Sequence, residues 1–269
     1  MYAFRYQRPA SVEAAIELAR ADEDAKYLAG GMTLIPAMKH RLAAPSQLID
    51  LARLAQLKQC ERIITGDQKA WRIGAGLRHV EVATHADMAK DLPALAALAG
   101  GIGDPQVRAR GSLGGSVANN DPAADYPSAL LALNAVVMTD QRRIAANAFF
   151  TGMFTTALEA QEMILAVEFP VPLRAAYAKF PHPATGYAMA GVFVAELTAG
   201  HWQVAVTGVA AGAFRWHQAE TAIATGQAVP ALDRDDLMED MHAPGAYRAH
   251  LASVMLAKAR SQLSDGVGM

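Results

Sequence analysis

Cysteine and excess charge are scarce in this sequence, and each scarcity excludes a class of protein. The 269 residues include one cysteine, Cys60, so the chain cannot form an internal disulfide, a CxxC redox pair or a cysteine-ligated iron–sulfur cluster. Lysine and arginine number 24 against 26 aspartate and glutamate residues, for a formal net charge of -2. This balance offers neither a basic surface for nucleic acid nor a polybasic patch for membranes.

Long apolar runs and a leader segment are also missing. No stretch approaches the ~20 apolar residues that a membrane-spanning helix needs, and residues 1–6 lack the pattern of a signal peptide. Hydrophobic residues nevertheless make up 52% of the chain, which is enough for a sizeable core. We therefore expect a folded, soluble, cytoplasmic protein of one large domain or two to three small ones.

Changes of pattern divide the chain into three parts, 1–56, 57–172 and 173–269, and together they predict an α+β fold. The first part is predicted to be a βαβ-like unit of mixed topology with parallel pairing, and Ser11 is predicted to cap its first helix. The glycine-rich region 100–116 is predicted to be a turn region that interrupts the helices of the second part. Strands are predicted at 4–6, 26–29, 48–51, 62–65, 71–74, 136–139, 164–169, 187–197 and 202–209. Helices are predicted at 11–20, 34–42, 80–88, 92–99, 123–133, 216–225, 233–238 and 246–263.

A predicted strand that leads into two glycines and a helix forms the first candidate binding element, at residues 28–36 (LAGGMTLIP). Adjacent glycines let an anion approach the backbone closely, and the N–H groups at a helix start favour phosphate. Thr33 could add a hydroxyl donor. A plain strand-to-helix turn explains the same residues, and the segment alone leaves both interpretations open.

The second candidate element covers residues 110–122 (RGSLGGSVANNDP) and is followed by Asp125. Its small residues could form a second backbone nest for phosphate, and Asn119 and Asp125 could bind ribose or ribityl hydroxyls. A structural turn would explain the glycines but explains the polar run less well. Two phosphate-sized nests in one chain indicate a diphosphate, as in a dinucleotide.

Several other motifs are interpreted as structural. Residues 74–79 begin like a G-x-G-x-x-G dinucleotide motif but have His79 in place of the third glycine, so we expect a turn that ends a strand. The histidines show no H-x-x-H or H-E-x-x-H spacing, so His40, His79 and His182 are expected to be surface or hydrogen-bonded residues and not metal ligands. Cys60 is expected to be a packing residue.

The two glycine loops resemble those of a known family. Residues 29–39 (AGGMTLIPAMK) are similar to the AGG-x-S/T-L-x-P-x-M-K motif of the FAD-binding subunit of molybdenum hydroxylases, a group that includes the carbon monoxide dehydrogenase medium subunit and the xanthine dehydrogenase flavin domain. Residues 110–125 are similar to its R-x-T/S-I/L-GG-S/N-x-A-x-x-DPAAD motif, and residues 177–188 to its Y-x-K…YA segment. The resemblance implies a PCMH-like fold with FAD-binding subdomains at 1–56 and 57–172, followed by a smaller C-terminal α/β domain at 173–269.

The resemblance also implies which residues hold FAD. The first loop would wrap the pyrophosphate, the second would complete that cradle, and Lys179 matches a lysine close to the isoalloxazine. Where many members carry an arginine shortly after this lysine, the chain has Pro181-His182-Pro183. No catalytic acid, base or metal ligand is expected in the chain. The implied cofactor-binding residues are Ala29, Gly30, Gly31, Met32, Thr33, Leu34, Ile102, Gly103, Ser112, Gly114, Gly115, Ser116, Asn119, Asp125, Ile164 or Leu165, and Lys179.

The function implied by the resemblance is that of an oxidoreductase subunit in a heterotrimeric complex, assembled as a dimer of heterotrimers. A molybdenum-pterin cofactor in a large partner subunit would oxidise the substrate, and two [2Fe–2S] clusters in a small partner would carry the electrons to FAD. The FAD subunit would then pass them to an external acceptor. Two alternatives stay open: a flavin-free scaffold subunit of the same complex, and a stand-alone flavin oxidoreductase of the vanillyl-alcohol oxidase type.

Overall fold

Three sheets of three to five strands follow one another along the chain in the computed structural model, which describes residues 1–265. Mixed helices and sheets confirm the predicted α+β class. No helix within this range is both long and apolar enough to cross a membrane. The proposed divisions after residues 56 and 172 fall between the sheets, and residues 266–269 of the third part lie outside the description.

The first sheet is parallel throughout, so the predicted parallel pairing is confirmed and the predicted mixed topology is wrong. Its middle strand, at 47–50, pairs with the strands at 5–7 and 26–28. Ser11 has an extended backbone, and its hydroxyl accepts a hydrogen bond from the Ala14 N–H at 3.2 Å, which starts the first helix at the predicted residue. Ala15 and Ala19 of that helix are buried with Ile49 of the central strand. The elements are β1 (Arg5–Gln7), α1 (Val12–Arg20), β2 (Lys26–Leu28), α2 (Leu34–Lys39) and β3 (Gln47–Asp50), followed by a 3-10 helix (Ala55–Lys58).

The second sheet has five antiparallel strands in the order β4-β5-β10-β6-β7. Ile73, Val137 and Val167 from its three middle strands are fully buried against helices that include Leu95 and Leu130. Its strands are β4 (Cys60–Thr65), β5 (Gln68–Gly74), β6 (Val136–Thr139), β7 (Arg143–Ala145) and β10 (Ile164–Pro170), and a small hairpin adds β8 (Phe150–Gly152) and β9 (Thr155–Thr156). Its helices are α3 (His79–Thr84), α4 (Ala86–Asp91), α5 (Pro93–Gly100), α6 (Pro105–Arg110), α7 (Leu113–Asn119), α8 (Tyr126–Ala132) and α9 (Ala146–Phe149).

Two predictions in this part are wrong. The helix predicted at 80–88 is two helices, because His85 is extended and its Nδ1 accepts the Met88 N–H at 3.2 Å, capping α4. The region 100–116 is not a turn region, since it holds α6 and the start of α7. Asp104 caps α6 through the Val107 N–H at 2.8 Å with Pro105 as its first residue, and Ser112 caps α7.

The third sheet is antiparallel in the order β11-β12-β13-β14, and the predicted hairpin over 187–209 is confirmed. The strand β11 was not predicted, and the helix predicted at 233–238 is wrong: Leu237 instead forms an isolated bridge with Ala210. The last predicted helix is confirmed within α11. The elements are β11 (Arg174–Pro181), β12 (Ala188–Thr198), β13 (His201–Thr207), β14 (Phe214–Arg215), α10 (His217–Thr225) and α11 (Gly245–Asp265).

Candidate functional site

A cleft of about 960 Å³ lies where the glycine loops of the first two parts meet. This volume is at the upper end of the range for small-molecule and cofactor sites. Its walls come from the residues around β2 and the start of α2, from the turn after β5, from the segment 109–119, and from the loop 185–187 that precedes β12.

The first loop supplies backbone donors to the cleft. Gly31 has a φ of +73°, a conformation that glycine adopts without strain, and α2 begins three residues later. The Met32, Thr33 and Leu34 N–H groups donate to no acceptor within residues 1–265, and the Thr33 side chain makes no capping hydrogen bond. This run of unpaired donors before a helix is a suitable place for a phosphate.

The second loop does not form the phosphate nest that the sequence predicts, because its N–H groups are already hydrogen-bonded. The Leu113 N–H donates to the Leu77 carbonyl at 2.9 Å and the Gly114 N–H to the Ala75 carbonyl at 2.8 Å. The next two N–H groups are bound by Ser112: Gly115 donates to its hydroxyl, and Ser116 to its carbonyl at 3.1 Å. The row of free N–H groups predicted for a second nest is therefore not present, although the loop does line the cleft.

Close packing explains two of the loop glycines. A Cβ on Gly30 would lie 2.1 Å from the Arg110 carbonyl oxygen, and a Cβ on Gly114 would lie 2.5 Å from the Ala75 Cβ. These two glycines let the loops touch one another. Gly115 is different, because a Cβ there would meet only the Ser112 hydroxyl at 3.0 Å and the Ala29 Cβ at 3.9 Å. Gly115 lines the cleft, so it keeps space open in the cleft.

The turn after β5 forms a third wall that the sequence did not reveal. It runs antiparallel to the second loop, since the His79 N–H donates to the Gly111 carbonyl at 2.9 Å and Arg78 pairs with Ser112. Ala75, Gly76, Arg78 and His79 line the cleft. The incomplete G-x-G pattern at 74–79 was the available signal, and its interpretation as a strand-ending turn missed the role of this turn in the cleft wall.

The His79 side chain is neither on the surface nor hydrogen-bonded within residues 1–265. The residue is 4% exposed, and its Nδ1 is buried without a partner among the described residues. Burial, together with the positive charge of Arg108, lowers the pKa of His79 from 6.5 to about 4, so the imidazole is neutral at pH 7.

Asp125 lines the cleft, and two side chains of the third sheet bind its carboxylate. Its carboxylate accepts hydrogen bonds from the Tyr177 hydroxyl and from the Lys179 ammonium, which lies 3.0 Å from Oδ1. Burial raises the pKa of Asp125 and is opposed by the charge of Lys179. Burial and the neighbouring carboxylate raise the pKa of Tyr177 far above 10, so its hydroxyl remains a donor.

Lys179 is a link between cleft loops and does not itself line the cleft. Besides Asp125, its ammonium donates to the Gly101 carbonyl at 2.7 Å and to the Gly186 carbonyl at 3.0 Å. These bonds engage all three of its N–H groups. They connect Asp125 with two loops, at 101–103 and 185–187, that pack against each other and line the cleft.

The third sheet closes the back of the loop that carries Asp125. The Thr207 hydroxyl, fully buried, contacts the Pro122 carbonyl at 3.0 Å and the Ala124 carbonyl at 2.6 Å. The Gly208 N–H donates to the Pro122 carbonyl at 2.8 Å, and the Ala188 N–H donates to the Ala123 carbonyl at 3.2 Å. Residues 121–125 are thus fixed between the second and third sheets.

Comparison with known proteins places this cleft in a family. The model of the FAD binding domain in molybdopterin dehydrogenase matches residues 2–172, which include both glycine loops. The chain belongs to this family. The nicotine 6-hydroxylase medium subunit of Paenarthrobacter nicotinovorans is 37% identical over 98% of this chain and 89% of its own length.

Solved structures of the family have the same fold over nearly the whole chain. A chain of carbon monoxide dehydrogenase from Hydrogenophaga pseudoflava has a TM-score of 0.86 at 30% identity and covers 98% of each chain. Quinoline 2-oxidoreductase from Pseudomonas putida 86 gives 0.85 at 26% identity, again over 98% of each chain. These matches confirm the prediction that the chain is an FAD-dependent oxidoreductase subunit of the molybdenum hydroxylase family.

The cleft fits the cofactor of this FAD-binding family. The first loop offers unpaired N–H groups for phosphate, Gly115 leaves space beside them, and Asn119 and Asp125 place polar groups further along the wall. Leu165 is not on the cleft wall: Ile164 lines the cleft, whereas Leu165 packs against the core of the first part. The predicted residues that line the cleft are Ala29, Gly30, Gly31, Met32, Thr33, Leu34, Ile102, Gly103, Ser112, Gly114, Gly115, Ser116, Asn119, Asp125 and Ile164.

Sequence reasoning also missed cleft residues outside the third wall. Arg110 begins the second loop and Tyr187 follows the lysine-bound Gly186, and both line the cleft. Tyr187 is 46% exposed, and burial of its hydroxyl raises its pKa, so the phenol stays protonated near neutral pH. Tyr187 belongs to the Y-x-K…YA segment, but the resemblance gave it no binding role, and the residue was predicted only to begin a strand.

Proposed function

We propose that this chain is the FAD-binding, electron-transferring subunit of a molybdenum hydroxylase complex. The observation that carries the proposal is the cleft itself, where a loop with free N–H groups faces a second glycine loop at the family spacing. The similarity to the nicotine 6-hydroxylase medium subunit over nearly its whole length supports a subunit that works with partners.

Bound FAD would supply the redox chemistry, and the chain's own residues bind and orient it. The backbone of residues 31–34 would hold phosphate, and Asn119 and Asp125 would hold hydroxyl groups. Lys179 would act through Asp125, Gly101 and Gly186, since its ammonium already binds these three residues. Its charge remains close enough to Asp125 to keep that carboxylate a hydrogen-bond acceptor.

The electrons would come from another chain. A [2Fe–2S] cluster needs four cysteine ligands or a mixture of cysteine and histidine, and Cys60 is the single cysteine of the sequence. We therefore assign the two [2Fe–2S] clusters to a small partner subunit and the molybdenum-pterin cofactor to a large one. A dimer of heterotrimers that delivers electrons to an external acceptor completes the proposal.

Co-expression with the neighbouring subunits tests this assignment. The purified complex should contain one FAD per copy of this chain, and its flavin absorbance should bleach when the substrate of the molybdenum subunit is added. The same substrate should leave FAD in the isolated chain oxidised. A complex without flavin would support the scaffold alternative, and bleaching in the isolated chain would support a stand-alone flavin oxidoreductase.

A further inference from the structure

The second loop leaves one wall of the cleft poor in backbone donors, and an imidazole occupies that wall. The N–H groups of residues 113–116 all bind within the protein. His79 lies beside this loop, hydrogen-bonded to it through its own backbone N–H, and its side chain lines the cleft. A side-chain donor is therefore present where the backbone offers none.

The ring of His79 is tightly accommodated, yet it makes no hydrogen bond within residues 1–265. A Cβ on Gly111 would lie 2.6 Å from His79 Nε2, so a glycine is needed at 111 for the ring to fit. The Tyr126 ring lies 5.5 Å from the His79 ring between centroids, and the Tyr126 hydroxyl has no partner among the described residues. Nδ1 is fully buried without a partner, which destabilises the fold, so packing alone would favour an apolar residue at 79. Nε2 has no hydrogen bond among the described residues either but is not fully buried, so it is the ring nitrogen that a ligand can reach.

The surroundings of His79 favour an anion. Arg78 and Glu81 on its own helix pair with one another, and Arg108 of α6 binds the Ile102 and Gly103 carbonyls. Arg110, at the start of the second loop, also lines the cleft. Tyr126 of α8 is protonated, because burial raises its pKa, and Asp125 is already paired with Lys179. Neither Arg108 nor Arg110 forms an ion pair within residues 1–265, so both offer positive charge that suits the diphosphate of a dinucleotide.

We infer that His79 is a cofactor-binding residue whose neutral imidazole donates its Nε2–H to an oxygen of the FAD diphosphate. The inference rests on the proposed function. In this arrangement the diphosphate contacts both the free N–H groups of the first loop and the imidazole. Gly111 and His79 then form a single unit, in which the glycine leaves room for the ring.

The test compares FAD affinity and apo stability in His79→Leu, His79→Gln and wild type. Leucine removes the donor, so FAD should bind at least tenfold more weakly, in keeping with the loss of a hydrogen bond to a charged group. Glutamine keeps an N–H donor and should restore part of that loss. Without FAD, His79→Leu should unfold at the same or a higher urea concentration, since it removes an unpaired buried polar atom. His201→Gln, an exposed histidine in the β12–β13 turn, is the matched control.

Two results would overturn the inference in distinguishable ways. If wild type binds FAD and His79→Leu binds it within twofold, His79 does not contact the cofactor, and the proposed function stands. If His79→Leu loses both FAD affinity and apo stability and glutamine restores neither, the residue is structural. If the wild-type chain binds no FAD either alone or in the complex, the proposed function fails and this inference fails with it.

Discussion

Individual glycines in the two loops have different physical roles. Gly31 has a positive φ, Gly30 and Gly114 permit contact between loops, and Gly115 leaves space in the cleft. The motif that carries the family resemblance is thus partly a packing motif. A glycine-rich loop in a sequence indicates a binding site only when the neighbouring backbone leaves its N–H groups free, which here holds for the first loop and not for the second.

Alanine at the neighbouring positions 114 and 115 should affect different properties: apo stability at 114 and FAD affinity at 115. Gly114→Ala places a methyl group 2.5 Å from the Ala75 Cβ and should destabilise the apo chain by about 1–3 kcal/mol or more through overpacking. Gly115→Ala should change apo stability by less than about 1 kcal/mol, because the higher helix propensity of alanine offsets contact with the capping Ser112. Urea unfolding and FAD titration of both variants check this.

FAD affinity is the property that the alanine at position 115 should change. Gly115→Ala should weaken FAD binding by at least tenfold, because its methyl group occupies cleft space. If Gly115→Ala binds FAD like wild type while it remains folded, the space beside Gly115 is not cofactor space.

The buried His79 should make apo stability depend on pH. Its pKa is about 4 in the folded chain against 6.5 for the ordinary side chain. Above pH 6.5 neither state is protonated. Between 6.5 and 4 the unfolded chain takes up a proton that the folded chain does not, so stability falls as the pH falls, by up to about 3 kcal/mol in total. Urea unfolding from pH 7.5 to 4.5 should show this loss in wild type and a clearly smaller loss in His79→Gln. Parallel curves for the two chains would contradict the assigned burial of the neutral ring.

The residues that sequence reasoning missed have a common cause. His79 and Arg78 reach the cleft because the turn after β5 pairs with the second loop, a contact between segments more than thirty residues apart in the chain. Leu165 was named beside Ile164 because the resemblance did not fix which face of β10 points to the cleft. Composition and spacing identify loops, but pairing between loops decides which side chains and N–H groups face the ligand.

At the scale of elements, the Asp125–Lys179 pair joins the start of α8 to β11. Both side chains are largely buried, with 3% and 10% exposure, and a buried charge without its partner is strongly destabilising. Lys179→Met should therefore reduce the free energy of unfolding by about 3–5 kcal/mol, and Asp125→Asn should reduce it by less.

A double-mutant cycle isolates the pair itself. Asp125→Asn combined with Lys179→Met should be more stable than the sum of the single effects indicates, by about 1–3 kcal/mol, because no unpaired charge is left. Urea unfolding at pH 7 measures all four chains. Strictly additive effects would show that Lys179 stabilises the fold through the Gly101 and Gly186 carbonyls alone.

Elements with strong local signals were predictable, and elements made by packing were not. Ser11 and the alternation of the first part specified α1 and its neighbouring parallel strands. By contrast, α7 contains Gly114 and Gly115 at interior positions, which lowers its intrinsic helix propensity. The strand β11 is rich in alanine and is formed by pairing along β12. The segment 233–238 has helix-compatible residues, but its Leu237 packs into the core around the third sheet.

At the scale of the whole molecule, the third sheet fixes the loop that carries Asp125. Thr207 of this sheet contacts the loop but does not itself line the cleft. The Thr207 hydroxyl has two backbone carbonyls within hydrogen-bond distance, at Pro122 and Ala124. Thr207→Val keeps the shape and removes the hydroxyl, so it should cost about 1–3 kcal/mol of stability and weaken FAD binding by several fold. Thr221→Val, at an exposed helical position, is the matched control. Unchanged FAD affinity in a destabilised Thr207→Val chain would show that the third sheet supports the fold but not the site.

The central claim is that this one chain builds a complete FAD site, and calorimetric titration of the purified apo chain with FAD tests it most directly. We predict saturation at one FAD per chain, together with weaker binding of FMN, which lacks the diphosphate. FMN binding as tight as FAD binding would contradict the diphosphate assignment. A folded chain that takes up no FAD, alone or with its partner subunits, would contradict the account as a whole.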